Sequence, residues 1–271
     1  MEYVTRSECP QLLIDNQAQW TPPWIAHYTW DKSSNAQRPE KPTDSHWLEE
    51  NIRGVLVEDF HKCCGYCGQL TPMGDPEQNN RKFGQVDHYN PKSKRPQLVY
   101  DWDNFIWCCE NCNTLKGTFL DETAPLLNPC VQADCEMLEF NDSDGSYKLV
   151  EARIDDDIAK QRLVNQCKKT LYNNSDIKSQ RRDMFTTINC AFLTLNHHIE
   201  RTEVNDFDIT ISAKLLEIFS SDDEVIDQNI AVIKAWLAGS SFYLLKKKIY
   251  QQMIERYPLA AKHLANNDIG V

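Results

Sequence analysis

The sequence predicts an α+β fold, in which a small cysteine-rich core of two strands and a helix follows an N-terminal arm and helix and precedes a mainly helical region. Three observations favour this fold. Two Cys-x-x-Cys pairs frame residues 64–112, short β-type runs lie between the pairs, and apolar residues recur at helical spacing after residue 155. We therefore divide the chain into segments 1–44, 45–125 and 126–271.

Composition and charge restrict the class of protein. A chain of 271 residues with 41% hydrophobic side chains can bury a substantial core. Its net charge of −11 argues against a protein that coats nucleic acid by bulk attraction, because neutralising phosphates requires Lys and Arg. Residues 81–120 differ from the rest, since they hold six basic and four acidic side chains. This segment is the plausible region for contact with a polyanion.

The chain shows no targeting or membrane signal. The start, MEYVTRSECP, lacks an apolar segment, and the apolar stretch AVIKAWLAGSSFYLL is interrupted by Lys234. We expect a cytoplasmic protein with no membrane association. In a reducing compartment the eleven cysteines are unlikely to form disulfides, which leaves metal ligation as a use for the paired ones.

The remaining elements follow from local patterns. Residues 1–44 are rich in Trp and Pro without clear periodicity, which predicts an extended arm. A helix is predicted at 45–61, with Ser45 as its cap, and a β-hairpin turns at Asp144 and Gly145. Helical spacing of apolar residues predicts further helices near 157–172, 176–200, 210–220, 224–237 and 241–256.

The two cysteine pairs predict a metal site. Four thiolates on two tight turns are the ligands of a tetrahedral structural Zn²⁺. The predicted ligands are Cys64, Cys67, Cys109 and Cys112. A redox Cys-x-x-Cys motif and a chance grouping of core cysteines are the alternatives. Because Cys63 and Cys108 precede the pairs, a register with one extra residue is also open, although the Cys-x-x-Cys turn directs two thiolates at one metal.

The 41 residues between the pairs are more than a compact zinc ribbon needs. They contain Asp87, His88 and Asn104, and Asn113 directly follows the second pair. If VDHY ends one strand, DNFIWCC forms its partner and ENCNTLKG begins a helix, zinc would bring Asn113 beside Asp87. A carboxylate and an amide oxygen suit Mg²⁺, while His88, facing the other side of the strand, is placed to act as a base.

This arrangement resembles the HNH, or ββα-metal, nucleases, and in particular the PtuB-like group of the Septu and retron anti-phage systems. The motifs that carry the resemblance are VDHYNPK, WDNF and CENCNTLK, framed by CGYC and CENC. The resemblance extends over residues 20–185. It implies a zinc-stapled ββα-metal core with a Trp/Pro-rich N-terminal arm and helix and a mainly helical C-terminal region.

The resemblance also implies a role for each matched residue. His88 would be the general base that deprotonates the attacking water, and Asn104, the second candidate catalytic residue, would orient His88 by binding the loop backbone. Asp87 and Asn113 would hold one catalytic divalent ion. Many HNH enzymes have His at the position of Asn113, so the amide here favours Mg²⁺ or Mn²⁺ over softer metals.

Substrate and partners are further implications. The resemblance implies an endonuclease that cleaves DNA and that assembles with a PtuA-like ATPase. This chain has no Walker-type loop of its own, so any ATP hydrolysis would come from another protein. Retron-associated relatives make tRNA or other RNA an alternative substrate, and a zinc-stabilised adaptor without catalysis is a third reading. Basic side chains that flank the site are either phosphate contacts or part of a solvated loop. They are Lys92, Lys94, Arg95 and Lys116.

Overall fold

The structure is a computed structural model, and it describes the chain in five stretches. They are residues 1–33, 36–73, 84–205, 222–239 and 241–266. The chain forms two compact units. The first contains Met1–Asn141 and Ser146–Ile177, and the second contains Asp142–Gly145 and Lys178–Val271. The division of the chain at residues 44 and 125 stays a prediction.

The N-terminal segment is not an extended arm, because α1 occupies Gln11–Tyr28. Two prolines lie inside this helix, where each lacks an N–H donor, and they led to the wrong prediction. The apolar residues Leu13 and Trp24 are eleven positions apart, which puts them on one helical face, and both are buried. The helix packs against the turn at Pro96–Leu98, and this tertiary packing outweighs the local cost of the prolines.

The helix predicted at 45–61 is confirmed in shorter form. One 3₁₀ turn, His46–Leu48, precedes α2, which spans Glu50–Asp59. Ser45 makes no side-chain capping bond, so the predicted cap is wrong. Ile52 and Leu56 are four residues apart and fully buried, which is the spacing that predicted this helix.

The core of two strands and a helix is confirmed. Strands β1, Gly84–His88, and β2, Phe105–Cys109, pair antiparallel, with Asp87 opposite Ile106. Helix α3, Glu110–Lys116, begins directly after β2. All side chains of β2 from Phe105 to Cys108 are fully buried, so β2 forms the centre of this core.

An N-terminal contact joins the first residues to this core. The Arg6 guanidinium donates hydrogen bonds to the Phe105 carbonyl oxygen at 2.8 Å, the Trp102 carbonyl oxygen at 3.1 Å and Asp59 Oδ2 at 3.1 Å. It also lies 4.1 Å from the Trp102 ring centroid. Because the Asp59 carboxylate is buried, Arg6 supplies its charge partner.

After the core, the predicted hairpin is confirmed. Helix α4, Gln132–Glu136, leads into β3, Leu138–Asn141, which pairs with β4, Ser146–Leu149. Gly145 in the turn has φ of +75°, a conformation that favours glycine.

The rest of the described chain is helical, as predicted. The helices are α5, Asp157–Lys169, α6, Ser175–Asn205, α7, Asp222–Ala238, α8, Tyr243–Arg256, and α9, Pro258–Asn266. The helix predicted at 210–220 lies outside the described residues, and α9 was not predicted. Within the part of the chain that the structure describes, no helix combines the length and apolar character needed to cross a membrane.

Candidate active site and cysteine cluster

Four cysteine side chains converge where the first knuckle, the turn that carries Cys64 and Cys67, meets β2 and α3. The Sγ atoms of Cys64, Cys67, Cys109 and Cys112 all lie within 4.8 Å of one another. The Cys67 and Cys109 sulfurs are 3.9 Å apart. Tetrahedral Zn²⁺ with Zn–S bonds of about 2.3 Å requires sulfurs about 3.8 Å apart, so this cluster fits that ion.

The cluster confirms the Cys-x-x-Cys register. Cys63 and Cys108 are also buried, but neither belongs to the cluster. A single redox pair is disfavoured because both pairs meet at one point. This convergence of four cysteines favours metal binding over the alternatives that the sequence left open.

Backbone N–H groups point at these sulfurs. The Cys67 N–H donates to Cys64 Sγ at 3.5 Å, and the Leu171 N–H, at the end of the connection after α5, donates to Cys112 Sγ at 3.4 Å. Hydrogen bonds among the thiols lower the pKa of Cys109, with Cys112 as the largest cause, and raise the pKa values of Cys67 and Cys112, with Cys109 as the largest cause. Donors around sulfur favour the thiolate form, which is the form that binds metal.

The Asp87 carboxylate lies on the side of β1 that faces α3. Its Oδ2 accepts a hydrogen bond from the Tyr66 hydroxyl at 2.7 Å. The Lys116 ammonium lies 3.0 Å from Oδ1 and 2.9 Å from Oδ2, and it also donates to the His88 carbonyl oxygen at 2.7 Å. The sequence interpretation placed Lys116 on the flank of the site and missed Tyr66, whereas both residues are buried and hold Asp87.

His88 follows Asp87 and is also buried, with 5% of the residue exposed. Its Nε2 lies 2.9 Å from the Val99 carbonyl oxygen. Since a carbonyl only accepts, Nε2 carries the proton of the neutral ring and Nδ1 is the basic nitrogen. The rings of Trp47 and Phe105 meet the imidazole edge-on, at 4.8 and 5.3 Å between centroids. Burial first, and then the charge of Lys92, lowers the pKa of His88 to about 3, so the imidazole is neutral at pH 7.

Asn104 binds the backbone of the loop between β1 and β2. Its Oδ1 accepts from the Asn90 N–H at 2.7 Å, and its Nδ2 donates to the carbonyl oxygens of Asn90, at 3.1 Å, and Leu98, at 2.9 Å. Asn90 lies two residues after His88, and Leu98 precedes the residue whose carbonyl binds the imidazole. Asn104 therefore fixes both ends of the loop that encloses His88.

Asn113 lies in the first turn of α3 and reaches the face of β1 that carries Asp87. Its Nδ2 donates to Gln85 Oε1 at 2.6 Å, and no hydrogen bond to Asp87 is found for it within the described residues. The pairing register of β1 and β2 explains why Asn113 bonds to Gln85 and not to Asp87. Because Cys109 pairs with Gly84, α3 starts beside the beginning of β1, and Asn113 meets Gln85 while residues one turn further reach Asp87.

The other basic residues predicted beside the site differ in exposure. Lys92 is only partly exposed, with its ammonium 4.8 Å from the Trp47 ring centroid. Lys94 is exposed, and Arg95 forms an ion pair with Glu122 at the surface. Lys94 and Arg95 are therefore the members of this group that a substrate phosphate would meet first.

Residues 64–119 match the family model described as HNH endonuclease. The chain carries an HNH endonuclease domain. The matched range contains the whole cysteine cluster together with Asp87, His88, Asn104 and Asn113.

Two relatives extend this similarity beyond the HNH domain. A Septu protein PtuB of Bacillus thuringiensis is 28% identical over 131 residues, which cover 48% of this chain and 43% of the relative. A Septu protein PtuB of Bacillus mycoides (strain KBAB4) is 23% identical over 127 residues, which cover 36% of this chain and 41% of the relative. The chain thus spans less than half the length of either relative.

The residues around Asp87 and Asn113 are compatible with the divalent ion predicted there from the sequence. Asp87 already holds a cation, the Lys116 ammonium, against both of its oxygens. The nearby amide groups of Gln85 and Asn113 provide further oxygen donors on the same face of β1. An all-oxygen donor set is typical of Mg²⁺ or Mn²⁺.

Proposed function

We propose that this chain is a metal-dependent HNH endonuclease that hydrolyses phosphodiester bonds of DNA as the effector of an anti-phage defence complex. The observation that carries the proposal is the position of Asp87 and His88 at the end of β1, within a domain that matches HNH endonucleases and is joined by a four-cysteine cluster. The similarity to two Septu proteins supports the defence context.

Each residue has a part in the proposed reaction. His88 accepts the proton of the attacking water at Nδ1, because Nε2 is engaged by the Val99 carbonyl. The lowered pKa keeps the ring unprotonated at pH 7 and also makes it a weaker base. Asn104 acts as a positioning residue through the loop that holds His88. Asp87 and Asn113 would hold Mg²⁺ or Mn²⁺, which when bound polarises the scissile phosphate and stabilises the leaving oxygen. Zinc at the cysteine cluster would fix α3 to the first knuckle and so set the position of Asn113.

The charge distribution supports a nucleic-acid substrate bound locally rather than over the whole surface. The rest of the acidic chain would repel a polyanion, while Lys94 and Arg95 lie in the segment that carries excess positive charge. We place DNA first as substrate. Phosphate geometry is shared by DNA and RNA, so cleavage of tRNA instead would assign the chain to the retron-type alternative.

An ATPase partner of the PtuA type is part of the proposal. The acidic composition favours help with substrate binding from a second protein, and the sequence has no Walker-type loop with which to bind nucleotide itself. The helical region after residue 155 and the N-terminal segment are the proposed docking surfaces. A stable complex formed by a chain deleted of residues 201–271 would remove the C-terminal part of this assignment.

Cleavage assays test the substrate and metal requirement. The purified chain, with and without the proposed PtuA-like ATPase, is incubated with plasmid DNA and with total tRNA in Mg²⁺, Mn²⁺ or EDTA. We expect plasmid cleavage that EDTA abolishes and that added Mg²⁺ or Mn²⁺ restores. Cleavage that persists in EDTA would contradict the metal dependence, and inert protein under every condition with the partner present would favour the adaptor reading.

A further inference from the structure

We propose that Lys116 sets the divalent-ion affinity of the HNH site, because its ammonium is the resident cation of Asp87 and must leave before a metal ion binds. This inference rests on the proposed function, since it concerns the ion that the proposed reaction uses. Lys116 becomes a positioning residue that competes with the ion, in addition to any contact it makes with a substrate phosphate.

The contacts of Lys116 are those of a bound cation. Its ammonium lies within 3.0 Å of both Asp87 oxygens and donates to the His88 carbonyl oxygen at 2.7 Å. Its side chain is 0% exposed and that of Asp87 is 6% exposed. Three oxygen contacts with no access to water place the positive charge where a small ion bound to both carboxylate oxygens would lie.

Electrostatics makes the two cations alternatives. A buried carboxylate without a counter-ion is strongly unfavourable, so Lys116 stabilises Asp87 while the ion is absent. Two positive charges against one carboxylate repel each other at short range in a poorly screened site. The ion therefore displaces the ammonium, while the Tyr66 hydroxyl keeps its hydrogen bond to Oδ2 and holds the carboxylate in place.

The position of Lys116 on α3 allows this exchange. Lys116 is the last residue of the helix, and Gly117 after it has φ of +52°. A lysine side chain has a flexible stem of four carbons, so the ammonium is able to leave Asp87 without displacing Asn113 in the first turn. Release of the ammonium would then add a positive charge to the surface that faces the phosphate.

Mn²⁺ binding without nucleic acid tests the competition. Free Mn²⁺ is measured by electron paramagnetic resonance in titrations of wild type, Lys116→Met and Lys94→Met, each with its zinc content verified. We expect Lys116→Met to bind Mn²⁺ about tenfold more tightly, since one charge-assisted hydrogen bond corresponds to at least that change in an equilibrium constant. Lys94→Met removes an exposed charge from the loop between β1 and β2 and should change the affinity about twofold or less. Equal or weaker binding by folded Lys116→Met would overturn the inference.

Wild-type protein provides a second measurement in case Lys116→Met does not fold. The protein is treated with an amine-acetylating reagent with and without saturating Mn²⁺, and modification of Lys116 is followed by mass spectrometry. We expect Mn²⁺ to increase labelling of Lys116 about tenfold while labelling of Lys94 stays constant. Labelling of Lys116 that does not respond to bound Mn²⁺ overturns the inference. If that same protein cleaves nucleic acid, the proposed function stands, whereas absence of Mn²⁺ binding to wild type overturns the metal-dependent function itself.

Discussion

The Tyr66 hydroxyl donates a 2.7 Å hydrogen bond to Asp87 Oδ2, which links a residue inside the first cysteine knuckle to the carboxylate of the candidate active site. Both residues are buried. Tyr66 lies between Cys64 and Cys67, so its position depends on the turn that carries these two cysteines. The cysteine cluster and the candidate catalytic residues are thus connected by a direct contact as well as by the fold.

Tyr66→Phe tests this link. Removing the hydroxyl leaves a buried carboxylate oxygen with one donor fewer, and we expect the free energy of unfolding to fall by about 1.5–3 kcal/mol. Zinc content should not change, because no sulfur contact is lost. Urea denaturation with zinc analysis measures both quantities. Tyr100→Phe removes a hydroxyl that donates to a neutral carbonyl, that of Asp44, and should cost about 1 kcal/mol. Equal costs for the two variants would argue against a special role for the Tyr66 bond.

Adjacent cysteines test the metal register. Cys109→Ala removes a member of the cluster, and we expect loss of bound zinc and of much of the core's stability, since metal-binding free energy contributes to folding. Cys108→Ala changes a buried cysteine outside the cluster and should keep one zinc per chain. Zinc content by atomic emission distinguishes the two. Zinc retained by the Cys109 variant and lost by the Cys108 variant would show that the shifted register is the true one.

Asn104→Ala tests the loop that holds His88. The substitution leaves the Asn90 N–H and the Leu98 carbonyl without their side-chain partner, and we expect a loss of about 3 kcal/mol in unfolding free energy. Hydrogen exchange of residues 89–99 should become faster. Asn113→Ala removes a side-chain bond on the other side of β1 and provides the control, with exchange in this loop unchanged. An unchanged loop in Asn104→Ala would contradict its assignment as a positioning residue.

Arg6→Ala tests whether the N-terminal residues belong to the core. The Asp59 carboxylate would remain buried without a counter-charge, so we expect a cost of about 3 kcal/mol in unfolding free energy. Arg6→Lys should restore little of the lost unfolding free energy, because an ammonium does not reproduce a guanidinium that also stacks on Trp102. Arg38→Ala, at an exposed arginine, should cost about 0.5 kcal/mol or less. Wild-type stability for Arg6→Ala would show that this contact is dispensable.

Much of the core was predictable because its signals are local. The Cys-x-x-Cys spacing, the β-type run before His88 and the helix that starts after Cys109 each depend on neighbouring residues, and the structure confirms all three. The role of Asn104 in binding the loop backbone also followed from its motif. The three local signals depend on spacing, which a sequence displays directly, whereas the role of Asn104 came from the resemblance to HNH nucleases.

Other features depend on tertiary contacts that no local pattern reveals. Helix α1 contains two prolines and gains its stability by packing, so local propensity predicted the wrong conformation. The pairing of Lys116 with Asp87, 29 positions earlier, depends on how α3 runs back along β1. For the same reason Asn113 meets Gln85, two residues before Asp87 on β1. The burial of His88 by Trp47 likewise joins distant segments.

The most direct test of the central claim is cleavage of plasmid DNA by wild type, His88→Ala and His27→Ala, with the ATPase partner and Mg²⁺ or Mn²⁺ present and zinc content verified for each protein. His27 is a half-buried histidine of α1 whose ring contacts the Pro39 carbonyl. We expect His27→Ala to cleave like wild type and His88→Ala to be slower by about 10²-fold or more, the usual contribution of a general base. Equal cleavage by zinc-loaded His88→Ala and wild type would contradict the assignment of His88 as the base.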